Sequence, residues 1–270
     1  MQTVWFLRKV SLLNHGKDTK VSREKEYVNP LDLPPLYITM YKFVELVLFL
    51  FVYWLCYLFA RDWMVMDFDD LWKPDGNVGA AIGKVSFIFA WAIGVTLVIG
   101  IYQVVKEVPR EHDPGETFWK GLWISINAGF FEELIYRWLR FFIAMVLLRF
   151  LNAIFYGFVA WWYTEIMIPV VNWETLGALE PQLTGHPEWL FGAAVLSAAT
   201  KFEEAHEYQG WFGKTNAWFI GMVLFYVMFN YGLWAAIVVH VLYDVCVFTT
   251  RAFVNSRLED PYRRRSHSRK

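Results

Sequence analysis

Cysteine is scarce in this sequence, and neither sign of charge predominates. Only two cysteines occur among 270 residues, Cys56 and Cys246, and both lie in apolar runs. Two separate thiols make neither a disulfide framework nor a four-cysteine zinc site, and they leave the redox compartment open. The 25 basic and 26 acidic residues give a formal net charge of −1. A generally basic nucleic-acid-binding protein is therefore not expected.

The sequence also lacks the short motifs of several enzyme classes. It has no G-x-S-x-G nucleophile elbow, no H-E-x-x-H zinc helix and no G-x-x-x-x-G-K-[ST] phosphate loop. These motifs supply a serine nucleophile, a zinc-bound water and a phosphate cradle, respectively. Any enzymatic chemistry must therefore come from other residues.

Large apolar side chains are what the sequence has in excess. Hydrophobic residues make up 57% of the chain and aromatic residues 20%, whereas soluble chains are about 45–50% apolar. A water-soluble core of this size cannot hide so many rings, and exposed rings would cause aggregation. The composition predicts an all-α, polytopic transmembrane helical bundle.

Candidate spans are stretches of about 20 residues that are almost free of charge. They fall at 43–60, at 85–105, at a weaker 121–131 that runs on into Glu132, at 138–164, at a weaker 189–200 that runs on into Lys201, and at 215–243. The last stretch is too long for one span, and Asn230, Tyr231 and Gly232 predict a break within it. The count is six to eight helices.

Three parts of the chain follow from the distribution of charge. Residues 1–37 form a polar N-terminal arm, in which residues 4–13 have the composition of a helix lying flat on the membrane surface. Residues 38–255 form the bundle, and residues 256–270 form a basic tail. Six basic residues in the arm and five after Glu259 in the tail predict that both termini are cytoplasmic, which requires an even number of spans.

Charged side chains at membrane depth are costly, so their default interpretation is functional. Glu133 and Arg137 are four residues apart and share one face of a helix. Glu132 points about 100° away from that face. The pattern predicts one carboxylate held in an ion pair and one that is unpaired. The alternative is a structural ion pair beside an interfacial glutamate.

Two histidines adjoin apolar runs in the same way. His206 ends the 189–200 stretch close to Glu203 and Glu204, and the alternative is a helix-end residue at the water interface. His240 and Asp244 lie four residues apart in the last apolar stretch, so they face the same way. The alternative interpretation of this pair is a structural hydrogen bond that only holds the bundle together.

Together these residues favour activation of a water molecule and stabilisation of an oxyanion. Among enzymes, a general-base hydrolase and a metal hydrolase with Glu, His and Asp ligands both remain open. A transporter that relays protons and a membrane scaffold or immunity protein without chemistry are the non-hydrolytic alternatives.

The three clusters resemble, in order and setting, the motifs of one family of intramembrane endopeptidases. This is the CPBP family (CAAX protease and bacteriocin-processing, or abortive-infection), which includes the type II CAAX prenyl proteases. The resemblance covers about residues 115–250. Its motifs are E-E-x-x-x-R, matched by Glu132, Glu133 and Arg137; F-x-x-x-H, matched by Phe202 and His206; and H-x-x-x-[ND], matched by His240 and Asp244.

The resemblance implies a helical bundle around a membrane-embedded cavity and a cofactor-free endopeptidase. A metal-dependent version with the same ligands is the alternative mechanism. The implied substrate is a peptide or prenylated protein near the lipid bilayer, with no nucleic acid involved. The implied roles are water activation for Glu132 and His206, oxyanion stabilisation for His240 and Asp244, and orientation of the site for Glu133 and Arg137.

Two departures from the family pattern bear on these roles. Glu203 and Glu204 occupy positions inside the second motif where small or apolar residues are more usual. They make this helix end more polar, and additional site acids are one interpretation of them. The third motif ends in Asp244, and an ionised carboxylate has no hydrogen to donate to an oxyanion. Asp244 is therefore better suited to orienting His240, or it stays protonated.

Overall fold

A computed structural model describes residues 34–64, 66–73, 76–105, 114–174, 177, 180–184 and 189–257. Every regular element in those ranges is a helix. The predicted surface helix at 4–13 and the basic tail beyond residue 257 lie outside the described residues. The first described helix begins at Pro35, and the last described helix ends at Arg257.

The described residues form twelve α-helices. They are α1 (Pro35–Ala60), α2 (Phe68–Trp72), α3 (Val78–Lys84), α4 (Phe87–Val105), α5 (Pro114–Asn127), α6 (Phe141–Ile154), α7 (Phe158–Trp162), α8 (Ile168–Glu174), α9 (Glu180–Thr184), α10 (Trp189–Ala205), α11 (Gly210–Tyr231) and α12 (Leu233–Arg257). A π-helical segment, π1 (Ala128–Arg140), joins α5 to α6, and a second, π2 (Tyr163–Met167), joins α7 to α8.

The predicted class, an all-helical membrane bundle, is confirmed. Three described stretches are long and apolar enough to cross a membrane, namely Leu36–Trp63, Glu207–Tyr231 and Leu233–Val254. Two helix pairs meet the same test but are bent at a short break. They are Val78–Lys84 with Phe87–Tyr102, bent by 55°, and Phe118–Ile154 with Phe158–Trp173, bent by 114°.

Among the described residues, three to five spans replace the predicted six to eight. The segments 121–131 and 138–164 were expected to be separate spans, but α5, π1 and α6 run on as one helix to Ile154. The chain then turns at Tyr156 and Gly157, which have φ of 47° and 89°. This turn lies inside the predicted 138–164 span, in an uncharged part of it, so the distribution of charge did not indicate a break there.

Helix α10 differs from the expected span for another reason. Its last turns carry Lys201, Glu203 and Glu204, and most of its apolar side chains are buried inside the bundle. Phe191 of α10, for example, lies 4.6 Å from the ring of Phe229 in α11. Helix α10 is therefore surrounded by protein and lacks the uninterrupted apolar length of a span.

The predicted break at residues 230–232 is confirmed. Helix α11 ends at Tyr231 and α12 begins at Leu233, and Gly232 between them has φ 94° and ψ 161°. This backbone region is essentially restricted to glycine. The connector after α2 packs against the break, because Lys73 Nζ donates a hydrogen bond of 2.9 Å to the carbonyl oxygen of Phe229.

We expect Gly232→Ala to lower the free energy of unfolding by about 1–3 kcal/mol, as for other residues held in a disfavoured backbone region. A Cβ at this position would also lie 2.6 Å from Lys73 Cβ. Chemical unfolding in detergent micelles measures the effect. Gly83→Ala is the matched control, because a Cβ there meets nothing within 4 Å. Equal unfolding midpoints for the two variants would contradict the expectation.

Candidate functional site

The first predicted cluster lies on π1, in the middle of a continuous helix. π-Helical turns inside α-helices are rare and are frequent at functional sites. Glu133 and Arg137 are fully buried there. Their predicted ion pair is confirmed, because Arg137 Nη1 lies 3.4 Å from Glu133 Oε1.

Arg137 joins the first cluster to the second. Its guanidinium carbon lies 4.0 Å from the ring centroid of Phe202 and 5.6 Å from that of Phe225. A Cβ on Gly221 would come within 3.4 Å of Nη2, so glycine leaves room for this nitrogen. None of the three guanidinium nitrogens makes a hydrogen bond within the described part of the chain. Glu133 and the two aromatic rings therefore surround the buried charge.

His240 joins the third cluster to the first. Its Nδ1 lies 2.7 Å from Glu133 Oε1, and both side chains are buried. A carboxylate oxygen accepts, so Nδ1 carries the hydrogen and, in the neutral ring, Nε2 is the acceptor. The close approach of π1 to α12 needs Gly129, because a Cβ there would lie 3.2 Å from the carbonyl oxygen of Ile237.

The expected His240–Asp244 pair is only partly present. His240 Nε2 lies 3.8 Å from Asp244 Oδ2, which is too long for a hydrogen bond. The short partner of His240 is Glu133, on another helix. Spacing along α12 placed the two residues on one face, but the packing of α12 against π1 supplied a closer carboxylate.

His206 lies in the turn after α10, outside the stretches that qualify as spans. Its Nδ1 is 2.8 Å from the carbonyl oxygen of Phe202, so this nitrogen carries the hydrogen. Burial lowers the pKa of His206, and the negative charge of Glu132 acts in the opposite direction. A neutral ring with its hydrogen on Nδ1 leaves Nε2 able to accept a proton.

The prediction that Glu132 is unpaired was wrong. Lys42 Nζ, on α1, lies 3.1 Å from Glu132 Oε1. Glu132 also interacts electrostatically with His206 and His240. Helical spacing separates Glu132 from the Glu133–Arg137 pair, as predicted, but it does not identify the cation that α1 brings to this face.

Three residues around Glu132 were missed as site residues. Lys42 Nζ also lies 3.7 Å from Glu45 Oε2, and Glu45 Oε1 lies 3.8 Å from Arg140 Nη2. Glu45 and Arg140 were visible only as charges that interrupt apolar stretches. The available signal was a lysine and a glutamate three residues apart at the start of the first span, outside the segment that carries the family resemblance.

Glu203 and Glu204 do not join the buried cluster through ion pairs of their own. Glu203 Oε1 lies 3.5 Å from Lys214 Nζ, and Glu204 Oε2 lies 2.7 Å from Lys201 Nζ. The Glu204 side chain is 47% exposed. These two acids form ion pairs near the surface end of α10, which accounts for the polar departure in the second motif.

The metal-hydrolase alternative needs a set of ligands that the described residues do not assemble. No three His, Cys, Asp or Glu side chains in the described part of the chain lie close enough to hold a metal ion together. Glu132 is occupied by Lys42, and Glu133 by Arg137 and His240. The donor set of the described residues does not fit a metal centre.

Comparison of the chain with protein-family models, with curated proteins and with solved structures finds no match. The class that the fold and the site define is an all-helical membrane protein in which three separate stretches bring ionisable side chains together.

Proposed function

We propose that this protein is an intramembrane endopeptidase of the CPBP type that cleaves a peptide bond with an activated water molecule. The observation that carries the proposal is the contact between distant stretches of chain. Glu133 of π1 lies 2.7 Å from His240 of α12, and Glu132 interacts with the imidazoles of both His206 and His240. Water activation requires a proton acceptor and a stabilising donor within reach of one reacting centre.

The Glu132 carboxylate and Nε2 of His206 are the proton acceptors in this proposal. The water oxygen attacks the peptide carbonyl carbon while its proton passes to the Glu132 carboxylate, with His206 assisting. The tetrahedral intermediate then loses its C–N bond. The proton is delivered to the leaving nitrogen, which departs as an amine, and no covalent enzyme intermediate forms.

His240 is the residue that faces the developing negative charge. In its doubly protonated form the ring donates Nε2–H to the oxyanion while Nδ1–H is held by Glu133. Asp244, as a carboxylate, has no hydrogen to donate and acts on the ring from 3.8 Å. Glu133 and Arg137 are positioning residues, because their ion pair fixes the carboxylate that orients His240.

The proposed partners are the lipid bilayer and a peptide or prenylated protein substrate that reaches a cavity within the bundle. Cytoplasmic placement of both termini requires an even number of spans. Four satisfies it if the pair bent by 55° crosses the membrane and the pair bent by 114° turns back within it. We include that topology in the proposal.

A scaffold or immunity protein without chemistry is the second candidate. The observation that favours it is that both neighbouring acids are in ion pairs, Glu132 with Lys42 and Glu133 with Arg137. An ion-paired carboxylate in a bundle also serves to join helices. The two candidates differ in whether the protein cleaves anything.

The test uses the full chain in liposomes with membrane-anchored peptides, with and without a prenylated C-terminal cysteine, in ¹⁸O-labelled water. We expect the new carboxylate to carry one labelled oxygen. His206→Gln should lower kcat by about 10²–10⁴-fold, the usual contribution of a positioned acid or base. Mass spectrometry of the products measures both.

Glu204→Gln is the matched control, since Glu204 lies on the same helix end but pairs with Lys201 at the surface. It should cleave at the wild-type rate. A wild-type protein that cleaves no peptide in the panel, or a His206→Gln variant with full activity, would refute the proposed mechanism. Inert wild-type protein would favour the scaffold.

A further inference from the structure

We infer that Lys42 of α1 is a positioning residue of the site, which holds the Glu132 carboxylate in the orientation needed to take a proton from water. The inference rests on the proposed endopeptidase function. It brings into the site a helix that lies outside residues 115–250, the segment with the family resemblance. The ion pair between Lys42 Nζ and Glu132 Oε1, at 3.1 Å, is its starting point.

Helix α1 is attached to the continuous helix formed by α5 and π1 through three polar contacts, here called the polar ladder. Its α1 residues are three apart and therefore lie on one face. The contacts are Thr39 Oγ1 donating to Asn127 Oδ1 at 2.9 Å, Lys42 with Glu132 at 3.1 Å, and Glu45 with Arg140 at 3.8 Å.

The described α1 side chains that pack against the hydrophobic core lie from residue 46 onward and include Phe49, Leu50 and Tyr53. Among the described side chains of α1, only Leu46 is buried. Farther along the helix, the Tyr53 ring meets Trp138 edge-on at 5.4 Å. The polar ladder therefore sets where the start of α1 lies relative to π1.

The middle contact of the polar ladder differs from the other two because it reaches the proposed proton acceptor. The exposed fractions of the Lys42 and Glu132 side chains are only 17% and 12%, and charges interact more strongly away from bulk water. An ammonium group has three hydrogens, so it can bind Glu132 and Glu45 together. The ion pair is made through Oε1 of Glu132, which leaves Oε2 to accept the proton.

A purely structural role and a positioning role make different predictions. If the polar ladder only attaches α1, loss of any contact should affect stability and activity alike. If Lys42 positions Glu132, its loss should lower kcat far more than loss of the Thr39–Asn127 contact does. Misplacement of a reacting group by about 1 Å can cost about 100-fold in rate.

The experiment compares Lys42→Met, Lys42→Arg and Thr39→Val in the liposome assay. Lys42→Met keeps an unbranched stem without the charge, and we expect kcat to fall about 100-fold with KM unchanged. Lys42→Arg should restore part of the loss, because it returns a cation to the same helix face. Thr39→Val should keep the wild-type kcat. Wild-type kcat in Lys42→Met, or an equal loss in Thr39→Val, would overturn the inference.

A double-mutant cycle on unfolding tests the same contact without any substrate. We expect Lys42→Met to change the unfolding equilibrium constant about tenfold less when Glu132 is already Gln. If the protein is active and the two effects on unfolding are additive, the positioning role of Lys42 is refuted and the proposed function is not. A wild-type protein that cleaves nothing would refute the proposed function and, with it, the catalytic meaning of the Lys42–Glu132 pair.

Discussion

Replacement of Glu132 by glutamine should abolish peptide cleavage while the protein still inserts and folds. An amide has nearly the shape of the carboxylate but does not take up a proton from water. The loss of a general base is expected to lower kcat by about 10²–10⁴-fold. Glu132 retains some contact with solvent, so the side chain of Lys42 is not left fully buried without a partner. Cleavage in liposomes and thermal unfolding in detergent together separate lost chemistry from lost structure.

Glu165→Gln makes the same chemical change on the other π-helical segment, at an exposed position. It should leave both cleavage and stability unchanged. If Glu132→Gln retained wild-type activity, the proton acceptor would have to be another group. Of the two proposed proton acceptors, His206 Nε2 would then remain.

Replacement of Arg137 by methionine should produce the largest loss of stability. Arg137 is fully buried, and its removal leaves Glu133 as a buried carboxylate whose close partner among the described residues is His240. Breaking a buried pair by removing one partner costs about 3–5 kcal/mol. The flexible methionine side chain can fill much of the space between Phe202 and Phe225, so the cavity contribution should be small. Chemical unfolding in detergent micelles measures the loss.

The double variant Glu133→Gln/Arg137→Met is the control for this explanation. Removal of both charges leaves no ionised group buried without its partner, so the double variant should be more stable than Arg137→Met alone. If the double variant lost as much stability as the two single variants added together, the broken charge pair would not be the cause of the loss in Arg137→Met. Wild-type stability in Arg137→Met would contradict the prediction directly.

The limits of the sequence in describing the fold are visible at two turns. The break at residues 230–232 was predictable because Gly232 adopts a backbone conformation that only glycine tolerates, and it interrupts an apolar run too long for one span. The turn at Tyr156 and Gly157 interrupts the stretch 138–164, which was predicted as a single span. Apolar length carries no information about a bend inside such a stretch, so two expected spans became one bent pair.

Within the site, spacing along one helix was informative and contacts between helices were not. The Glu133–Arg137 pair was predicted because helix geometry makes residues four apart neighbours. The contacts of Glu132 with Lys42 and of Glu133 with His240 were not predicted. Glu133 and His240 are 107 positions apart in the chain, and Lys42 and Glu132 are 90 apart.

By itself, the sequence determined that this protein is a helical membrane bundle, because long stretches nearly free of charge are stable in lipid as helices, which satisfy their own backbone hydrogen bonds. It also determined which ionisable residues lie in apolar surroundings and which of them share a helix face. Only the tertiary structure decided that Glu132 is held by Lys42 and that His240 binds Glu133 more closely than Asp244. Helical periodicity is a local property of the backbone, whereas the partner on each face is chosen by the packing of the whole bundle.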